Sequence, residues 1–215
     1  MYVPPAFAVP SSTEALDALR RVAFGHLVTI DPGGSGAPTS TPLPFVVDDD
    51  LSELRAHIAR GNPHWRQLGG LSALMIVTGP DAYVSPRWYP SKAEHGKVVP
   101  TWNYEVVHVH GTVEVIEDAD WLRSMVSDLT DHHEARIDDP ADSRVWEVTD
   151  APTSFIDAQL RAIVGVRLEI TSVVAKRKLS QNRPPADRAG VRAGLARSEG
   201  AGARATAEAM PPAEG

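Results

Sequence analysis

The sequence contains no cysteine, which excludes disulfides, thiolate catalysis and Cys-ligated metal. No apolar run approaches the ~18 residues of a membrane span. The opening segment, MYVPPAFAVPSSTEALD, lacks the positive n-region and long apolar core of a signal peptide. Cations are scarce as well. Against 28 Asp and Glu there are 21 Lys and Arg, a formal charge of −7, which argues against broad nucleic-acid binding. There is no G-x-G-x-x-G after the first predicted strand, no Walker A, H-E-x-x-H, serine elbow or zinc-finger spacing, no helix-turn-helix and no internal repeat. What remains is the expectation of a soluble cytoplasmic protein of one domain plus a tail.

What is present is concentrated. Five of the nine Trp and Tyr residues lie between Tyr83 and Tyr104, in the stretch YVSPRWYPSKAEHGKVVPTWNYEVVHVHG that runs to Gly111. Ser85, Thr101 and Asn103 lie among them, and Pro86, Pro90 and Pro100 stiffen the connections. Rings with polar handles on such loops suit a flat, partly polar ligand. An aromatic core hairpin would have the same composition.

Along the chain, an extended proline-rich arm with Tyr2 and Phe7 packed down precedes a helix over about 12–23. The helix opens with the capping-box spacing Ser11-x-x-Glu14. FGHLVTI (Phe24–Ile30) and APTSTPLPFVV (Ala37–Val47) read as strands around the turn Gly33-Gly34-Ser35-Gly36. Pro38, Pro42 and Pro44 remove three donors from the second strand, so it must lie at an edge or line a cavity where a ligand edge can meet backbone. Further strands are expected at Leu51–Ile58, Ser72–Thr78, Ala82–Ser85 after a Gly79-Pro80-Asp81 turn, Trp102–Glu117 and Gly165–Val174. Helices are expected at 62–68, 118–134, 155–163 and 186–197, with a mobile flap at 86–98 and disorder from Ser198 onward. Short strands at even spacing predict a small barrel with flanking helices.

Three polar clusters carry chemistry. HIARGNPHW holds His57, Arg60, Asn62, His64 and Trp65 at a strand-to-helix junction, where cations and a helix N-terminus can converge on a phosphate; a solvated turn is the plainer reading. His108-x-His110 shares one strand face. It can be a metal pair if His132-His133 approaches, or can line a cavity or interface. KRKLSQNR (Lys176–Arg183) carries four cations and is either a solvated basic turn or a phosphate contact.

The chain resembles the PaiB family, described as FMN-binding negative transcriptional regulators. The resemblance is carried by Met1-Tyr2-x-Pro4, Leu43-Pro44-Phe45, His57-x-Ala59-Arg60-x-Asn62-Pro63-x-Trp65, Gly79-Pro80-x-Ala82-Tyr83-Val84-Ser85-Pro86-x-Trp88-Tyr89, Val99-Pro100-Thr101-Trp102-Asn103-Tyr104 and Lys178-Leu179-Ser180-Gln181-Asn182. It implies a mainly β fold with flanking helices, a split β-barrel of the FMN-binding, pyridoxamine-phosphate-oxidase-like kind. That domain would span residues 1–197, with 198–215 as a disordered tail. It also implies a homodimer with FMN at the subunit interface. Carried over, Arg60, Asn62, Trp65, Lys178, Ser180 and Gln181 fall at the phosphate and ribityl end. Ser40, Thr41 and Leu43 run along the isoalloxazine edge, and Ser85, Trp88, Tyr89, Trp102 and Asn103 form the opposing wall, from either subunit. Where the family has histidine before Leu-Pro-Phe, this chain has Pro42. The alternative on the same fold is a flavin-dependent oxidoreductase. The charge balance argues against direct DNA binding, so an indirect or ligand-coupled regulatory route is expected.

Overall fold

The structure, a computed structural model, describes residues 1–30, 36–139 and 144–212. Its strands are β1 (Phe24–Ile30), β2 (Pro38–Val47), β3 (Glu53–Ala59), β4 (Ser72–Val84), β5 (Thr101–Ile116) and β6 (Ile163–Lys178). They close into a barrel in the order β1-β2-β3-β6-β5-β4. The helices are α1 (Ser12–Val22), α2 (Trp65–Leu68), α3 (Ser91–His95), α4 (Ala119–Glu134), α5 (Thr153–Arg161), α6 (Pro185–Ala196) and α7 (Ala203–Ala209). The chain divides into two compact units, one of Leu19–Val77 and Val109–Val173, the other of Met1–Ala18, Thr78–His108 and Val174–Gly215.

In the first of these units, strand alternation fills the barrel. Leu27, Leu43, Phe45, Leu54, Ile58, Met75, Val109, Val166 and Leu168 are buried. The Asp118 carboxylate caps α4 by accepting from the Trp121 backbone N–H at 2.8 Å. Leu122 and Met125 of that helix form a second core with Val148 and with Ile156 and Leu160 of α5. Gly165 makes room for the Trp121 indole, which a Cβ there would meet. Residues 31–35, with most of the expected glycine turn, and 140–143 of the acidic connection lie outside the described residues.

The prolines of β2 find the place the sequence requires. Residues 38–44 pair with β1, Pro44 opposite Phe24, Pro42 opposite His26 and Pro38 opposite Ile30. Pairing with β3 begins only at Phe45. Antiparallel pairing directs backbone groups alternately to the two sides. All three prolines therefore stand where a missing N–H costs no bond to β1, on a half-strand with β1 as its one strand partner among the described residues.

The second unit has its own core of Ala82, Val84, Tyr89, Leu179, Val191, Leu195, Ala203, Ala207 and Met210. Ser11 accepts from the Thr13 N–H at 3.1 Å to open α1. The Glu14 carboxylate does not complete the predicted capping box. It pairs with Arg177 at 3.1 Å, and Arg177 also holds the buried Glu105 at 2.6 Å.

Several expectations are corrected. Gly79-Pro80-Asp81 is not a turn, because β4 runs through it; Gly79 is small because a Cβ would sit 2.9 Å from that of Glu105. The expected flap at 86–98 contains a 3₁₀ turn (Pro86–Trp88) and α3. It is tied down where Ser91 donates to Asp187 through its N–H (3.1 Å) and hydroxyl (2.7 Å). The basic run Lys176–Lys178 is the end of β6 and not a turn. Tyr2 does not pack down but stands 82 % exposed. Within the tail expected to be disordered from Ser198, Ala203–Ala209 form α7, which buries Ala203, Thr206 and Ala207, and residues 213–215 lie outside the described residues. The small residues of α7 supply little apolar area each, but they pack against α6.

Candidate functional site

A cavity of about 480 Å³ in the second unit is lined by Tyr83, Ser85, Arg87, Trp88 and Trp102, and closed by Ser198–Ala203 of the α6–α7 connection. That volume is within the range of small-ligand sites. Each wall is fixed locally. Tyr83 and Trp102 meet edge to face, centroids 6.1 Å apart. The Trp102 indole N–H donates to Asp81 at 2.8 Å. Ser85 accepts from the Arg87 N–H at 3.3 Å, holding the turn that presents Trp88. Trp88 is seated on α6 at Gly190 and Gly194, where a Cβ at the former would meet its carbonyl and at the latter its ring.

Beside this wall stands a group of cations. Lys178 donates to the Thr101 hydroxyl (2.5 Å) and the Trp102 carbonyl (2.6 Å). Lys176 and Lys178 both lie over the Tyr104 ring, at 5.3 and 5.9 Å, and Arg183 lies 5.0 Å from the Tyr89 centroid. Burial, followed by the repulsion of Lys176 and Arg183, pushes the Lys178 ammonium below its ordinary range. Among the described residues no carboxylate pairs with any of the three. An uncompensated group of this kind is stabilised by a dianion such as a phosphate monoester.

In the barrel unit, the HIARGNPHW junction forms a buried polar network. The His64 ring lies between the Thr29 hydroxyl (2.8 Å to Nε2) and the Thr41 hydroxyl (2.7 Å to Nδ1). Asn62 donates to Thr41 at 3.3 Å and accepts from the His64 N–H at 3.0 Å. Burial lowers the His64 pKa, so the neutral ring is favoured, one nitrogen donating and the other accepting. Arg60 is engaged through each of its three guanidinium nitrogens. Its guanidinium donates to Glu117 (2.5 Å) and to the carbonyls of Arg161 (3.1 Å) and Ile163 (3.2 Å). Its own carbonyl accepts from the Trp65 indole at 2.9 Å.

The fourteen residues singled out in the sequence thus separate by what they touch. Ser85, Trp88 and Trp102 line the cavity, and Lys178 binds the back of Trp102. Tyr89 is buried in the core. Asn103 is fully buried, accepting from Ser180 at 3.1 Å, and Gln181 closes its own turn through the Arg177 carbonyl and the Leu179 N–H. In the barrel unit Thr41, Asn62, Arg60 and Trp65 belong to the junction and Leu43 to the core, while Ser40 is exposed. Arg87, Thr29 and the 198–203 connection were not anticipated, and Lys176 and Arg183 were named only as part of the basic run Lys176–Arg183. Gly190-x-x-x-Gly194 is a readable signal for the seat of Trp88 on α6, a helix face made to receive a ring.

Comparison with known proteins agrees with this fold. A family model described as "Putative FMN-binding domain" matches residues 1–172. The Bacillus subtilis (strain 168) "Protease synthase and sporulation protein PAI 2" is 32 % identical over 211 residues, covering 98 % of this chain and 96 % of that one. Among solved structures, the FAD and heme binding protein from Mycobacterium smegmatis superposes with a TM-score of 0.55 at 22 % identity, over 79 % of this chain and 72 % of its own. The conserved hypothetical protein Rv2991 from Mycobacterium tuberculosis does so with a TM-score of 0.58 at 16 % identity, over 86 % and 94 %.

Proposed function

The chain belongs to the PaiB family of FMN-binding split-barrel proteins, with FMN as its cofactor, and from that premise we propose that it is a homodimeric, flavin-sensing negative regulator. The observation that carries the binding part is the aromatic cavity beside three cations that have no carboxylate partner among the described residues. Their chemistry fits the two ends of FMN, a flat ring and a dianionic phosphate. Trp88, Trp102, Tyr83 and Ser85 hold the ring, and Lys178, with Lys176 and Arg183, holds the phosphate. Tyr89, Asn103, Ser180 and Gln181 keep those groups in place. In the barrel unit Thr41, Asn62, Trp65 and Arg60 hold the junction, and Ser40 offers its hydroxyl from the exposed side of β2. When bound, FMN supplies one- and two-electron redox chemistry.

Support for a homodimer comes from the barrel unit. Phe24 and Ile30 of β1 are 48 % and 57 % exposed. Val28, Ile30, Pro38, Leu71 and Leu74 line an open apolar groove of about 510 Å³. A second copy would cover this face. The Ile30→Glu change should give a monomer by light scattering, and an unchanged mass would remove this face from the interface.

The regulatory part rests on the family. The cavity offers one ionisable side chain besides the Tyr83 phenol, that of Arg87, and no acid–base pair, which favours a sensor over an enzyme that handles protons itself. The deciding experiment is titration of the purified protein with FMN, followed by visible absorption. Failure to bind at micromolar FMN would reject the reading. Rapid NAD(P)H-driven bleaching of the bound flavin with turnover would replace the sensor by an oxidoreductase.

A further inference from the structure

The helical hairpin α6–α7 has a face that flavin binding does not use. Residues 174–215 hold eight of the 21 Lys and Arg but four of the 28 Asp and Glu, so a chain of negative net charge ends in a positive segment. In the barrel-bearing unit Arg20, Arg55, Arg60, Arg123, Arg144 and Arg167 are in ion pairs, while Arg161 there is exposed; in the terminal segment Arg177 is paired with Glu14 and Glu105. Arg192, Arg197 and Arg204 are exposed, and none has a hydrogen bond, ion pair or ring contact among the described residues. The opposite side of the hairpin, Val191, Leu195, Ala203 and Ala207, is buried core, which leaves Arg192 and Arg204 on its solvent side.

Arg192 and Arg204, one from each helix, line a single concavity of about 220 Å³ over Ala196 and Ala207, with Glu208 beside them. Arg197 lies past the end of α6, roughly 7 Å along the axis from Arg192 at 1.5 Å per residue. Guanidinium groups suit phosphate oxygens because they bind them bidentately and stay charged. One on each helix and a third just past the end of α6 match a line of phosphates better than one small anion. We propose that the α6–α7 face binds the phosphodiester backbone of double-stranded DNA, through interactions that position the protein without reading sequence. The whole-chain charge argued against direct DNA binding. Folding of the terminal segment changes that by bringing Arg192 and Arg204 into one concavity, with Glu208 in the same lining and neither arginine in an ion pair among the described residues. The proposal gives the regulatory reading a physical partner, but it does not depend on FMN binding.

The test uses the FMN-loaded full-length protein and a fluorescein-labelled random-sequence duplex of about 20 base pairs, read by anisotropy across a salt series. Binding is expected at low salt and should weaken steeply as salt rises. The triple variant R192A/R197A/R204A should bind at least about tenfold more weakly. Its log–log salt slope should be shallower by about 2.7 per chain, from roughly 0.9 for each phosphate that the variant no longer neutralises. Retained circular dichroism and FMN affinity show that the variant is folded; should it not fold, Arg204→Gln alone should lower the slope by about 1. No duplex binding by the parent protein at micromolar concentration overturns the proposal, as does a variant with unchanged affinity and slope. So does salt-sensitive self-association without duplex binding, which would make a second copy's acidic unit the occupant. A protein that fails the FMN titration but binds the duplex leaves this inference standing and removes the flavin reading alone.

Discussion

The indole of Trp88 occupies the space that a Cβ at Gly194 would fill. A residue of the candidate cavity is therefore set by a helix far along the chain. Gly194→Ala forces the ring or the helix to move, an overpacking cost of about 1–3 kcal/mol. The melting temperature should fall, and FMN affinity should fall with it because Trp88 leaves the wall. Trp88 fluorescence and an FMN titration check both; a lowered melting point with unchanged FMN affinity would remove Trp88 from the ligand.

Lys178→Met removes the central cation of the phosphate group. Charge-assisted hydrogen bonds contribute about 1.5–3 kcal/mol, so FMN should bind about 10- to 100-fold more weakly. Riboflavin, which lacks the phosphate, should bind as before. The Lys178 pKa is already lowered by burial and its cationic neighbours. FMN affinity should therefore decline on the alkaline side, beginning below the ordinary lysine range, and the decline should be absent in Lys178→Met.

Arg60 makes a different prediction. Its donors reach Glu117 and the carbonyls of Arg161 and Ile163, joining the end of β3 to the start of β6. Arg60→Ala should lower thermal stability while changing FMN affinity much less than Lys178→Met. A loss of FMN affinity as large as that of the lysine variant, with stability unchanged, would instead make Arg60 a phosphate ligand.

His64 links stability to pH. Burial lowers its folded pKa below the ordinary histidine value of 6.5, so as pH falls the unfolded chain takes up a proton before the folded one does. The contribution is complete above the unfolded value and is lost as pH falls through 6.5 toward the folded value. The melting temperature should drop between about pH 7.5 and 5.5. His64→Ala leaves the Thr29 and Thr41 hydroxyls short of a partner. It should cost about 1–3 kcal/mol at neutral pH and flatten that dependence. His57 and His132, whose pKa values burial also lowers, add slopes of the same sign, so the wild-type curve is compared with the variant's.

The parts of the fold that were legible depend on local pattern. β5 alternates polar and apolar residues from Val107 to Val115, and the Asp118 cap with helical spacing marks α4. Gly79-Pro80-Asp81 misled because glycine and proline mark turns but also mark close approach, here of β4 to Glu105. α7 was invisible because alanine and threonine carry little hydrophobic signal; its order comes from packing on α6 and from Thr206 bonding the Gly202 carbonyl at 2.8 Å. The aromatic crowding from Tyr83 to Trp102 did announce the cavity wall. The Thr29–His64–Thr41 network did not announce itself, since its members are brought together by strand register from positions up to 35 residues apart.

The prolines of β2 have one more consequence. A strand segment with one strand partner, as residues 38–44 have among the described residues, usually invites another chain to zip onto it. At Pro38, Pro42 and Pro44 the open side has no N–H to offer, so an incoming strand would find a row of carbonyls interrupted by the single donor of Ser40. The same seam can still receive a small molecule that brings its own donors. The half-strand therefore stays open to ligands and closed to fibrils.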